Sequence, residues 1–146
     1  MFRAAVAAAL LVLGTGVAFA QNADAIKQRK ANFKAIADAV KPTGEMLKGE
    51  ADFDLAAVKA AIAAIKDKAP QQPKLFPDDS KEGEKTEALP AIWENKADFE
   101  ERFGKIAKDA EAADASITDA ATFEEVWPTV VGQCGECHKK YRQKKQ

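Results

Sequence analysis

The chain has 146 residues, with 22 Lys and Arg against 23 Asp and Glu, one His and a formal net charge of −1. This balance lacks the cationic surplus that nucleic acid selects, so nucleic acid is not expected as a partner. Ala, Lys and Glu dominate while Val, Ile, Thr and Tyr are sparse, which argues against strands.

Residues 1–20 read as a secretory signal peptide. Met1-Phe2-Arg3 is a short positive start, residues 4–17 are an apolar run, and Ala18-Phe19-Ala20 supplies small residues for cleavage. The competing reading is a membrane anchor, for which the run is too short to cross ~30 Å of hydrocarbon comfortably. No second run is long enough to span, so no membrane partner is expected. Removing the first 20 of 146 residues leaves 126, enough for one compact domain over 21–146. An export signal places that domain in the periplasm.

Four segments of that domain have helical periodicity. The first spans about 23–40, with Ile26, Phe33, Ile36 and Val40 on one face, and is expected to end at Pro42 and Gly44. The second spans about 54–68, where Leu55, Val58, Ile62 and Ile65 make a narrow apolar seam, and Pro70 stops it. A long connection, 70–88, holds the apolar pair Leu75-Phe76, expected to tuck under one end of the molecule. The third helix starts near Leu89, with Pro90 at an early position where a missing N–H is harmless. Its seam is Ile92, Phe99, Phe103, Ile106, Ala110, Ala113 and Ile117. The fourth spans about 121–142 along Phe123, Trp127, Val130, Cys134, Cys137 and Tyr141. Pro128 is expected either to kink it or to mark its true start. Four amphipathic helices that must all hide a stripe predict an all-α, antiparallel up-down-up-down four-helix bundle.

Two cysteines in an exported chain would ordinarily suggest a disulfide. Here they stand in Cys134-Gly135-Glu136-Cys137-His138, the spacing of c-type haem attachment. Two thiols at this spacing reach the two porphyrin vinyl groups as thioethers, and the following imidazole lies beneath the iron. The expected cofactor is therefore one haem c per chain, with His138 as metal ligand. A redox CxxC site usually opens a helix after a strand, and no strand is expected here. Zinc would need further ligands, and His138 is the only histidine.

Several segments together resemble the cytochromes c′. They are CGECHKKYR at 134–142, Arg29-Lys30-Ala31-Asn32-Phe33-Lys34 in the first helix, LFP at 75–77 and TEALPAIW at 86–93. The resemblance implies a bundle enclosing the covalent haem. It further implies that Phe33 stands over the distal haem face and that Arg29 approaches a propionate, with Lys30, Thr86 and Glu87 at the haem edge. Arg142 would lie proximal, near His138. Plainer readings stand beside these: Phe33 as core, Arg29 as a solvated helix residue, Thr86 and Glu87 as a loop and cap, and Arg142 as part of a basic tail.

The sixth iron position decides function. Low-spin relatives are expected to carry a methionine where this chain has Phe33. After residue 20 the only methionine is Met46, 13 residues further on, which is roughly 20 Å along a helix. The expectation is a five-coordinate iron that binds nitric oxide and carbon monoxide, discriminates against oxygen, and takes part in electron transfer with an unspecified periplasmic redox partner. The alternative is a simple six-coordinate low-spin carrier. An enzyme is not expected, since no distal acid–base residue is visible. A small-residue face on the second helix, Ala56, Ala57, Ala60, Ala63 and Ala64, together with the resemblance, predicts a homodimer.

Overall fold

The computed structural model describes the backbone of residues 15–144 and the side chains of residues 23–144. Residues 1–14, most of the expected signal peptide, lie outside the described residues. Five α-helices follow in order: α1 Thr15–Leu47, α2 Leu55–Lys68, α3 Ala91–Glu94, α4 Lys96–Ser116 and α5 Ala120–Tyr141, with a 3₁₀ helix, Ala69–Leu75, after α2. The four long helices form an antiparallel bundle in which α1 packs on α2, α2 on α4 and α4 on α5.

Sequence and structure agree most closely at α2. Asp54 caps it, accepting from the Ala56 and Ala57 amides at 2.8 and 3.2 Å. Its seam residues Val58, Ile62 and Ile65 are buried, each contributing about 1.5–3 kcal/mol relative to exposure. Lys59 and Lys66 reach across to Asp114 of α4. Together Lys66 and Lys59 hold that carboxyl below its usual range.

Besides α1 starting at Thr15, ahead of the expected 23, three boundaries differ from expectation. Pro42 does not end α1, which continues to Leu47. The carbonyl that Pro42 leaves without a partner belongs to Asp38, on an exposed turn where water serves it. Gly49 ends the helix instead: at φ 72° it donates to the Met46 carbonyl at 3.0 Å, and Glu50 donates to the Glu45 carbonyl at 2.9 Å. The expected third helix is two. Asn95, with φ −126° and ψ 46°, breaks it, and both its backbone N–H and its amide donate to the Ala91 carbonyl. Nor does Pro128 mark a start. A capping box between Asp119 and Thr122 opens the last helix at Ala120, and the helix runs unbroken through exposed Pro128.

The connection before α3 is anchored at both ends. Phe76 is buried, as expected, with its ring edge-on to Phe99 at 4.7 Å between centroids; Leu75 is only half-buried. At the far end Leu89 N–H donates to the Tyr141 carbonyl and Gln143 N–H to the Glu87 carbonyl, pairing 87–89 with the chain leaving α5. Residues 86–88 and 142 therefore stand beside the C-terminal turn of α5.

Candidate haem site

α1 and α5 meet through one buried hydrogen bond, Trp127 Nε1 donating to Thr43 Oγ1 at 2.7 Å. From there toward the start of α1 and the end of α5 they line a cavity of about 1310 Å³. The seam explains why it lies there. Ile26, Ala110, Ala113, Phe123 and Trp127 are buried against other side chains and stay off the cavity wall. Phe33, Ile36, Val40, Ile106, Cys134 and Cys137 belong to the same stripes, yet they are half-buried and face the cavity. Protein interiors pack like organic crystals. An apolar space this large, open at one side and lined by seam residues, is room for a guest.

On the α5 wall, Cys134, Cys137 and His138 all line the cavity, one turn of helix bringing Cys134 and His138 to one face. Both cysteines are free, and burial pushes both thiols above their ordinary value. Burial, reinforced by Arg142, lowers the His138 imidazole, with Glu87 opposing. The imidazole is therefore neutral at pH 7, the form that ligates a metal. Among the described residues no group of three or more His, Cys, Asp or Glu is placed to hold a metal ion.

Phe33 from α1 and Phe103 from α4 line the same cavity, with ring centroids 6.2 Å apart. Phe33 offers bulk and no hydrogen-bond donor. Met46 packs on the core and does not line the cavity.

Arg29 is the most informative residue. Its side chain is 2% exposed, and its guanidinium donates to Leu75 O (3.1 Å), Ser80 Oγ (2.9 Å), Ser80 O (3.0 Å) and Thr86 Oγ1 (2.8 Å). It also lies 4.3 Å from the Phe76 ring centroid. All four acceptors are neutral. Burial without a counter-charge lowers its pKa to about 10. A buried cation on a cavity wall with only neutral partners calls for an anion inside the cavity.

The remaining expected residues are gathered at the same opening. Lys30 is exposed and donates to the Glu84 carbonyl at 2.7 Å. Glu87 and Arg142 are 4.0 Å apart, and both line the cavity with Thr86. Sequence reading missed Ser80, fully buried and bonded to Arg29 from 51 positions away. It also missed Arg102 and Tyr141 on the cavity wall. Tyr141 is buried, as its seam position predicts, and its hydroxyl also donates to Asp98, which Arg102 and Lys140 hold as well. No local pattern marks Ser80.

A thiol pair, a neutral imidazole and a buried counter-cation around an apolar slot inside a four-helix bundle fit a haem attached through thioethers, which places the chain in the class of bundle-type c haem proteins. The family described as Cytochrome C' matches residues 24–142. The chain belongs to the cytochrome c′ family, whose members are haem c proteins. It is 49% identical over 143 residues to a cytochrome c′ of Rhodopseudomonas palustris, covering 98% of this chain and 97% of the relative. It is 39% identical over 121 residues to a cytochrome c-556 of Agrobacterium fabrum, covering 82% of each. A solved structure of cytochrome c′ from Rhodopseudomonas palustris superimposes with a TM-score of 0.81 at 48% identity, covering 84% of this chain and 98% of that one.

Proposed function

We propose that this chain is a periplasmic cytochrome c′ that carries one haem c through Cys134 and Cys137, with His138 as proximal ligand, and binds nitric oxide and carbon monoxide besides transferring electrons. The haem, when bound, supplies an iron that changes valence and accepts a further ligand. The protein's own contributions are separable. His138 presents a neutral nitrogen. Arg29 supplies a positive charge to a propionate, in the bidentate manner that guanidinium and carboxylate favour. Phe33 covers the open face and withholds the hydrogen bond that bound oxygen needs, which favours nitric oxide and carbon monoxide over oxygen. Lys30, Thr86 and Glu87 border the haem edge, and Arg142 guards the proximal side.

The observation that carries this reading is the lining of the cavity: Cys134, Cys137 and His138 from α5, phenyl rings from α1 and α4, and neither a methionine nor a second histidine among the described lining residues. The role proposed here is binding and transfer, without catalysis. The cytochrome c-556 relative lends weight to a second reading, a six-coordinate low-spin carrier. That reading needs a strong sixth ligand, and the exposed lysines at the opening would have to lose a proton and enter an apolar space.

Residues 1–20 act as the export signal on this reading, and the exposed Ala56, Ala60 and Ala63 face of α2 forms part of a homodimer contact. Acid–acetone extraction tests the covalent link. Colour should stay with the polypeptide, and Cys134→Ala with Cys137→Ala should abolish attachment; colour that extracts freely from the unaltered protein contradicts it. Sedimentation at tens of micromolar, an order-of-magnitude range for a modest interface, should show a dimer.

A further inference from the structure

The mouth of the cavity is charged unlike the rest of the chain. Six exposed cationic side chains line it, Lys30, Lys34, Lys41, Lys85, Lys105 and Arg142, against two exposed carboxylates, Glu87 and Glu136. The whole chain carries 22 basic and 23 acidic side chains, so nearly all its carboxylates lie elsewhere. The six come from α1, the connection before α3, α4 and the segment after α5, and only the fold brings them to one opening.

Part of this charge is shared. Lys34 pairs with Asp38 and Lys105 with Asp109 along their own helices, and Arg142 faces Glu87. Lys30 meets only a neutral carbonyl. Lys41 and Lys85 form no ion pair among the described residues. Behind the rim, Arg29 lines the same wall with neutral partners only, and Arg102, also there, is shared with Asp98. The opening thus keeps a cationic surplus even with the two propionates of a haem counted against it.

We infer that this rim is the docking surface for an acidic protein, the partner with which the chain exchanges electrons. The inference rests on the haem reading above and adds the kind of partner. Screening over ~10 Å at 0.1 M salt makes the local rim, not the net charge, govern an encounter at the mouth. A concave opening ringed by one sign of charge focuses the field that steers an oppositely charged partner. The rim also favours a protein over an anionic membrane. Every Phe, Ile and Tyr of the lining is buried or half-buried, so no large apolar side chain stands out to seat in a bilayer.

The reduced holoprotein mixed with hexacyanoferrate(III) tests this. One electron leaves each protein, and hexacyanoferrate(III) becomes hexacyanoferrate(II), with no bond or proton transferred. The net charge, −1 for the full chain and more negative once Arg3 leaves with residues 1–20, predicts a rate that rises with ionic strength. The rim predicts a rate that falls, by about tenfold between roughly 10 and 200 mM salt. Lys41→Glu with Lys85→Glu should flatten that dependence, and poly-L-glutamate should slow the reaction where poly-L-lysine does not. Electron exchange whose rate rises with salt overturns the docking surface and leaves the haem reading standing. So does sedimentation with phosphatidylglycerol vesicles that poly-L-glutamate leaves unchanged. A chain that holds no covalent haem and exchanges no electrons overturns both.

Discussion

Arg29 grips Ser80 twice: Nη1 donates to the hydroxyl at 2.9 Å and Nη2 to the carbonyl at 3.0 Å, with Ser80 wholly buried. The hydroxyl in turn donates to the Pro77 carbonyl at 2.9 Å, so one side chain ties the turn at 77–80 to the cation on the cavity wall. Ser80→Ala should leave one guanidinium N–H without its acceptor, costing about 1–3 kcal/mol. Arg29→Leu should lower the reduction potential, since a nearby positive charge favours the reduced state. A fall of about 60 mV would be a tenfold shift in a one-electron equilibrium. Ser80→Ala should move the potential the same way by less. A potential unchanged in Arg29→Leu, measured by spectroelectrochemical titration, would detach Arg29 from the haem.

Trp127 and Thr43 pin α1 to α5 where the helices converge, and both are fully buried. Thr43→Val keeps the volume and removes the acceptor. The indole N–H is then buried and unpaired, at a cost of about 1–3 kcal/mol. Thr43→Ser should restore most of that loss. Urea unfolding of the three proteins checks it; equal midpoints would mean that the bond contributes nothing.

Phe33→Ala opens the face proposed to lie above the iron. Carbon monoxide should bind at least about tenfold faster, equivalent to removing a gate of ~1.4 kcal/mol. The ring is half-buried, so the stability loss should fall below the ~3–5 kcal/mol of a fully buried phenylalanine. Equal association rates would place Phe33 away from the ligand's path.

Asp98 should shape the acid limb of stability. Arg102 first, then Tyr141 and Lys140, hold its carboxyl far below the ordinary 3.8. The folded protein therefore binds this proton more weakly than the unfolded chain. The stabilisation is fully present above the unfolded value and is lost as pH falls from there toward the lowered folded value. Asp98→Asn should flatten the decline in stability below about pH 5 and leave the shape above it unchanged. An acid limb identical in both proteins would show that the contacts carry no net coupling.

What could be read from sequence divides by range. Cys134, Cys137 and His138 follow from covalent chemistry within five residues. α2 follows from Asp54, its cap, and a seam stepping by three and four. The end of α1 did not follow, because Pro42 breaks a helix only where its freed carbonyl cannot find water, and exposure at Asp38 is a tertiary fact. Asn95 is an ordinary polar residue until its amide and backbone converge on Ala91. Resemblance singles out Arg29 but not its cage: Leu75, Ser80 and Thr86 lie 46 to 57 positions away. Chain periodicity carries no record of such meetings.

The central claim is an open iron face above His138, and the spin state of the reduced, ligand-free holoprotein tests it most directly. Magnetic susceptibility with the visible absorption spectrum should report a high-spin five-coordinate iron, turning low-spin when carbon monoxide is added. A low-spin spectrum before any ligand is added, unchanged by Phe33→Ala, would mean that a protein side chain already fills the sixth position, and would contradict the account.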